Sequence, residues 1–276
     1  MKAKIAAFQM NCRMGDVRAN IKTIRSLSMS ISKYDPDFVC FPELATTGYS
    51  LNNKWRKYAE EIPGETSEEL SQIASELGAY LICGVDELDT VTGNIHDSSV
   101  LISPNGRVLG VYRKVHLWDQ ERKYFTRGAK FPVFETKFGK IGMGICYDIE
   151  FPEPARALAS QGAQILFFPS AQMSPIEKYV DTYVLSRAAE NTSFVVFSNR
   201  IGMEDQTHFF GHSQIASPEC KVLAKANRSR PFALAEVDLS ILPKIRQKLP
   251  YLSQLVPEAY SGQSTRLIRA ENPLLQ

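Results

Sequence analysis

The sequence contains no run of eighteen apolar residues, so no segment reads as a membrane-spanning helix. It has no surplus of one charge: 32 basic and 30 acidic side chains leave a net +2. That balance calls for neither nucleic acid nor an anionic membrane as partner. Cysteine is sparse and irregular. Cys12, Cys40, Cys83, Cys146 and Cys220 are an odd number without regular spacing, which argues against a disulfide framework and for a reducing, cytoplasmic setting. Repeats, low-complexity segments and linkers rich in Pro, Gly or Ser are absent too. The N-terminus begins as a signal peptide would, but its short apolar stretch gives way at once to Gln9, Asn11 and Arg13. What remains is an ordinary globular composition, 44% hydrophobic and 22% charged over 276 residues.

Short apolar runs alternate with helical patterns along the whole chain. Residues 4–10, 38–41, 80–85, 99–103, 107–115 and 140–147 read as strands, as do 164–168, 194–198, 211–216, 221–226 and 232–237. Pro104-Asn105-Gly106 is a hairpin turn between two of them. Ile21, Ile24, Leu27 and Ile31 mark one helix face. A second helix is predicted from a capping box at Thr66 and Glu69, with Gly78 as its C-cap. Pro154 opens a third helix ending at Gly162, and Ile176, Tyr179, Val180, Tyr183 and Val184 define a fourth. The pattern predicts one mixed α/β domain over 1–276, with packed sheets under outer helices. Its core is expected over about 4–240, with 241–276 a polar extension that lies against a neighbouring subunit rather than building core.

The strongest local signal is Gly142-Met143-Gly144-Ile145-Cys146-Tyr147-Asp148, followed by Phe151-Pro152-Glu153-Pro154. A strand with alternate glycines runs into a cysteine and turns sharply toward a helix. A nucleophile at such a turn stands clear of the sheet, with backbone N–H groups nearby for an oxyanion. A buried structural cysteine is the bland alternative. Two other apolar strands end in charge: Phe38-Val39-Cys40-Phe41-Pro42 leads into Glu43, and the strand at 107–115 carries Lys114. Each alone also fits a solvated strand end. Together the three types are chemically coherent, because a thiol needs a base, a carboxylate is one, and an ammonium steadies thiolate and oxyanion.

These segments resemble the nitrilase superfamily, the carbon–nitrogen hydrolases. The glutamate motif is matched by Phe41-Pro42-Glu43-Leu44 with Gly48-Tyr49, and the lysine motif by Tyr112-Arg113-Lys114-Val115-His116-Leu117. The cysteine motif is matched by Gly144-Ile145-Cys146-Tyr147-Asp148 with Phe151-Pro152-Glu153. Supporting blocks follow at Ile165-Leu166-Phe167-Phe168-Pro169-Ser170-Ala171, Arg187-Ala188-Ala189-Glu190-Asn191 and Ser198-Asn199-Arg200-Ile201-Gly202. The resemblance covers about residues 5–238. It implies a single-domain, four-layer α-β-β-α sandwich whose subunits pair into a homodimer or a higher homo-oligomer. It also implies a catalytic set of Glu43, Lys114 and Cys146, with a second glutamate at Glu121.

The implied activity is hydrolysis of a non-peptide carbon–nitrogen bond. Cys146-Tyr147-Asp148 resembles the amidase branches, so a small linear amide is expected, converted through a cysteine thioester with release of ammonia. An N-carbamoyl compound is the alternative, ahead of a nitrile or a silent binding protein. Tyr49, Trp118, Tyr147 and Phe125 flank the motif residues and are candidates for the pocket lining. One departure is Ser217-Pro218-Glu219-Cys220-Lys221, where many members carry a Pro-x-Gly turn. No metal or cofactor is expected. His208 and His212 are four apart, but Phe209-Phe210-Gly211 reads as loop into strand and no third ligand is near. Gly142-x-Gly144 lacks the third glycine of a dinucleotide site.

Overall fold

The computed structural model describes residues 1–259. Five strands come first: β1 (Lys2–Phe8), β2 (Phe38–Cys40), β3 (Tyr80–Leu88), β4 (Ile95–Ile102) and β5 (Val108–Arg113). A second group holds β6 (Val133–Thr136), β7 (Gly139–Met143), β8 (Ile165–Ser170) and β9 (Phe194–Asn199). After a small hairpin of β10 (Ile201–Glu204) and β11 (Thr207–Phe210) come β12 (Gln214–Ser217), β13 (Lys221–Lys225) and β14 (Phe232–Asp238). They build two six-stranded sheets, ordered β14-β1-β2-β3-β4-β5 and β13-β12-β9-β8-β7-β6. In each, the central pairs β1–β2–β3 and β7–β8–β9 are parallel and the outer pairs antiparallel.

The apolar runs explain the layering. Strands buried on both faces read as near-continuous hydrophobic sequence, as Ile-Leu-Phe-Phe in β8 does. One face of each sheet meets the other sheet through Ile5, Phe38, Ile82, Ile141, Phe167 and Val196. The opposite face of the first sheet packs on α1 (Val17–Ser30) and α2 (Glu65–Leu77), through Ile24, Leu70, Ile73 and Val100. The second sheet packs on α4 (Pro152–Ser160) and α5 (Glu177–Glu190) through Leu158, Leu166, Val184 and Phe197. The short helix α3 (Glu121–Tyr124) lies between these units in sequence, and α6 (Leu242–Lys248) follows β14. The result is the expected α-β-β-α sandwich.

Several local expectations change. Helix α2 begins at Glu65 with Gly64 as N-cap, where the Ser67 hydroxyl accepts from the Gly64 N–H at 2.8 Å. Thr66 instead donates its N–H and hydroxyl to the Glu60 carboxylate at 2.7 and 2.8 Å. A carboxylate from outside the helix thus satisfies a free first-turn donor where its partial positive charge is concentrated. Glu69 turns to Arg25 on α1. Gly78 is the C-cap at φ 70° as expected. Helix α4 starts at Pro152, since a proline costs nothing in a first turn whose N–H groups are unpaired. Strand β7 stops at Met143, where the chain leaves the sheet. Strands β6, β10 and β11 are additional. Thr207–Phe210 is strand rather than loop, and His208 faces Ser174 while His212 lies near Asp181. The two histidines share no ligand position. The extension expected to stay out of the core contributes Leu242, which is fully buried between the sheets; residues 260–276 lie outside the described residues.

Gly84 on β3 sets how closely the loop after β2 can approach. A Cβ there would sit 2.5 Å from both Glu43 Cα and Leu44 N, and 2.7 Å from Pro42 O. These are backbone atoms that cannot swing aside. Gly84→Ala is therefore expected to cost about 1–3 kcal/mol by overpacking, and to lower activity by displacing Glu43. An unchanged denaturation midpoint together with unchanged activity would remove Gly84 from this role.

Candidate active site

Three strand ends deliver the expected residues to one point between the sheets. Glu43 follows β2 by three residues, Lys114 follows β5 directly, and Cys146 follows β7 by three residues. The Glu43 loop is stitched to both sheets: Gly84 N–H donates to Pro42 O at 3.1 Å, Ala45 N–H to Gly84 O at 3.0 Å and Glu43 N–H to Ser170 O at 3.4 Å. Lys114 is held by its own backbone, donating to Asp97 O at 2.9 Å and accepting from Gly128 N–H at 2.7 Å.

The cysteine turn is anchored by Asp148, which is fully buried. One of its oxygens accepts from Ile145 N–H at 2.9 Å and Tyr112 OH at 2.6 Å. The other meets the His116 backbone N–H at 3.0 Å and the His116 ring at 2.7 Å. One carboxylate thereby ties the cysteine turn to the lysine segment. Cys146 itself sits at φ 45°, a left-handed conformation that costs a non-glycine residue about 1–2 kcal/mol and holds the side chain off the strand axis. Gly144 makes room for the turn, since a Cβ there would lie 2.5 Å from the Phe168 ring.

Electrostatics separates the roles open to these groups. Lys114 Nζ lies 2.5 Å from Glu43 Oε1, 2.7 Å from Glu121 Oε1 and 3.4 Å from Asp97 Oδ2, all buried. Burial alone would lower the lysine pKa, but the surrounding Glu121, Glu43 and Asp97 carboxylates outweigh it and hold the ammonium well above its ordinary range. Burial pushes the Glu43 carboxyl upward. The Lys114 charge and hydrogen bond, with the neighbouring Asp97 and Cys146 groups adding, outweigh that and leave it below the usual value. The Cys146 thiol is driven well above its usual value by burial, with the Glu43 charge adding to it and Lys114 opposing. The resting site therefore holds a thiol beside an ionised carboxylate, an arrangement suited to removing the thiol proton as attack begins.

Glu121 opens α3 and is buried. Its Oε1 accepts from Tyr49 OH at 2.5 Å as well as from Lys114, and its Oε2 from Trp118 N–H at 2.8 Å. Burial raises its pKa, opposed by Lys114. Tyr49 is buried, edge-on to Trp55 and Phe209. Phe125 is also buried and packs on Trp55 at 4.8 Å, behind Glu121, whose carbonyl accepts its N–H. Tyr147 is half-buried against Phe151, and Trp118 is exposed.

The later sequence blocks act as supports. Asn199 Oδ1 accepts from Gln172 N–H at 2.7 Å, fixing the segment after β8 where the Ala171 backbone reaches the Cys146 sulfur. Glu204, paired with Arg200, accepts the Tyr49 and Ser50 N–H groups at 2.9 and 2.8 Å. Sequence reasoning missed Asp97, Asp148 as an anchor, and Trp55. The signal for Asp97 was available in His96-Asp97-Ser98-Ser99, four consecutive polar residues in a strand buried along its whole length. Glu43, Asp97 and Glu121 each place an oxygen within 4.8 Å of the others, a spacing a metal ion could use. The Lys114 ammonium already lies against all three as their cation.

Comparison with known proteins identifies the family. The carbon–nitrogen hydrolase family profile matches residues 4–247. A probable nitrilase of Schizosaccharomyces pombe is 36% identical over 267 residues, covering 94% of this chain and 98% of that protein. The omega-amidase NIT2 of Xenopus tropicalis is 34% identical over 254 residues, covering 88% of this chain and 91% of that protein. The crystal structure of a carbon–nitrogen hydrolase from Helicobacter pylori superposes with a TM-score of 0.87 at 27% identity, covering 94% of this chain and 97% of that one. The sheets and the relatives agree, and the chain belongs to the carbon–nitrogen hydrolase family, the nitrilase superfamily.

Proposed function

We propose that this protein is an amidase that hydrolyses a small linear amide through a Cys146 thioester, releasing ammonia. The observation that carries the reading is the buried convergence of three side chains, with Glu43 paired to Lys114 at 2.5 Å and its charge acting directly on the Cys146 thiol. Glu43 takes the thiol proton as the sulfur attacks the carbonyl carbon. Lys114 and the Tyr147 backbone N–H hold the resulting oxyanion, where one such donor is worth about 3–4 kcal/mol. Glu43 returns the proton to the departing nitrogen and the carbon–nitrogen bond breaks, leaving the thioester. It then takes a proton from water, whose attack on the thioester releases the acid and restores the thiol. Glu121 orients the amide nitrogen and then the water. Omega-amidases among the relatives favour an amide over a nitrile.

The deciding experiment is a panel of ω-amides, N-carbamoyl amino acids, carbamoyl amines and nitriles, assayed for ammonia, carbon dioxide and the acid product. Acid plus ammonia from amides supports the proposal. Carbon dioxide with ammonia from N-carbamoyl compounds would replace it by the carbamoyl reading. Chelators are expected to leave the rate unchanged, and strong inhibition reversed by one metal would overturn a mechanism built on side chains alone. We also propose a cytoplasmic homodimer or larger homo-oligomer, with the part of the extension that follows the buried Leu242 against the neighbouring subunit. Light scattering on the full chain and on one ending at Ala259 tests the assembly: a monomer in the first, or no change in the second, counts against it.

Glu121→Gln keeps the size of the side chain but replaces one acceptor oxygen with a donor amide. Lys114, Tyr49 and the Trp118 N–H all donate to this carboxylate, so one donor is left facing another. Such a mismatch costs about 1–3 kcal/mol, or roughly ten- to a hundredfold in kcat if it falls on the transition state. An acyl adduct on Cys146 should accumulate, visible by intact mass. Unchanged turnover without an adduct would remove Glu121 from the reaction.

A further inference from the structure

Asp97 lies on β4, fully buried, with Oδ2 3.4 Å from Lys114 Nζ. Three carboxylates therefore surround one ammonium, all four side chains being buried. If all were ionised, the cluster of Glu43, Asp97, Glu121 and Lys114 would carry a net charge of −2, which burial strongly disfavours. Hydrogen bonding locates the missing proton. Counted as carboxylate oxygens, both Asp97 oxygens and Glu43 Oε2 are buried with no donor, whereas Glu43 Oε1 and both Glu121 oxygens have donors. The orphaned acceptors belong to adjacent groups, and one proton between them satisfies Glu43 Oε2 and one of the two Asp97 oxygens. On the opposing strand β3, Asp86, cross-strand from Asp97, takes the Thr47 hydroxyl instead.

We propose that Asp97 is a positioning residue that works as a neutral carboxylic acid, donating its O–H to Glu43 Oε2. The bond leaves Oε1 to Lys114, steadies Glu43 as the ionised base, and leaves each Glu43 oxygen a second lone pair for the thiol proton. The shift of Asp97 well above the ordinary aspartate range, driven by burial with the Glu43 charge adding, is consistent with this state. The chemistry matches that of an apolar-site carboxylic acid held neutral so that it can donate. The inference rests on Glu43 as base, but it makes a claim of its own about where a proton resides.

Two measurements on the full-length enzyme test it. In the infrared at neutral pH, the wild-type minus Asp97→Asn difference spectrum should show a protonated-carboxyl C=O band, with Asp86 and Glu121 cancelling. Absence of that band overturns the proposal whatever the enzyme's substrate. Alkylation of Cys146 by iodoacetate in a Cys220→Ala background, read by intact mass across pH, then reports the thiol–Glu43 pair without any amide. Asp97→Asn retains a donor and should keep the wild-type profile within about threefold. Asp97→Ala removes the donor and should move the acidic limb up by about one pH unit, since a hydrogen bond to a charged group is lost. With the best amide, kcat should fall about tenfold or more while KM moves little. If Asp97→Asn fails as Asp97→Ala does, an ionised aspartate is required and the proposal is wrong. If Asp97→Ala matches the wild type, Asp97 positions nothing.

Discussion

Cys146→Ala should lose hydrolysis by on the order of 10⁴-fold or more while folding as the wild type does. The thiol contributes little core volume, and the turn that carries it is held by other groups. Asp148 fixes that turn through Ile145 N–H, Tyr112 and His116, and none of these contacts uses the sulfur. Alanine can occupy the same backbone at the same strain. The other cysteines set the contrast. Cys12, Cys40 and Cys83 are buried, so their replacement by Ala carries a packing cost and no direct chemical loss. Cys220 is exposed and should react first with a bulky thiol reagent without loss of activity. Inactivation should instead track modification of Cys146. A reagent that silences the enzyme by labelling Cys220 while Cys146 stays free would identify the wrong nucleophile here.

Lys114→Met should be damaging twice over. It removes an oxyanion donor, for an expected loss of about 10²–10³ in kcat. It also leaves the Glu43 and Glu121 carboxylates buried without their cation, and breaking a buried pair in this way costs about 3–5 kcal/mol. The second effect depends on pH with a definite sign. Glu43 is depressed below its ordinary 4.5, so its pairing contributes stability above that value, lost as pH falls through the folded-state pKa. Lys114 is raised above its ordinary 10.5, so its contribution is complete below that value and lost as pH rises through the folded-state pKa. The stability gap between variant and wild type should therefore be widest between about pH 5 and 10 and narrow toward acid, where the unpaired carboxylates of the variant take up protons. Urea midpoints at neutral and acidic pH measure this. A gap that stays constant or widens on acidification would mean that Lys114 is not the counter-ion of this cluster.

Much of this site was legible along the chain because its principal residues end strands. An apolar run followed by a charged or nucleophilic residue stands out locally, as at Phe41-Pro42-Glu43 and Gly144-Ile145-Cys146, and a turn signal such as Pro104-Asn105-Gly106 needs no distant partner. Continuous hydrophobic strands likewise determined two buried sheets under helices. Other features arise only when segments remote in sequence are brought together. The pairing of Thr66 in the first turn of α2 depended on Glu60 reaching the helix end, and the buried place of Leu242 on where β14 delivers the chain. Strands β10 and β11 are only four residues each, too short for a pattern to mark, and their pairing ends at Glu204, which accepts the Tyr49 N–H. Asp97 is the clearest case. One aspartate in a strand has no evident role until Glu43, 54 positions before it, and Lys114, 17 after it, close around it. Ordering by pattern is a property of neighbours along the chain, and the sequence determined that much. Charge state depends on which groups share a dry volume, and only the tertiary structure decided it.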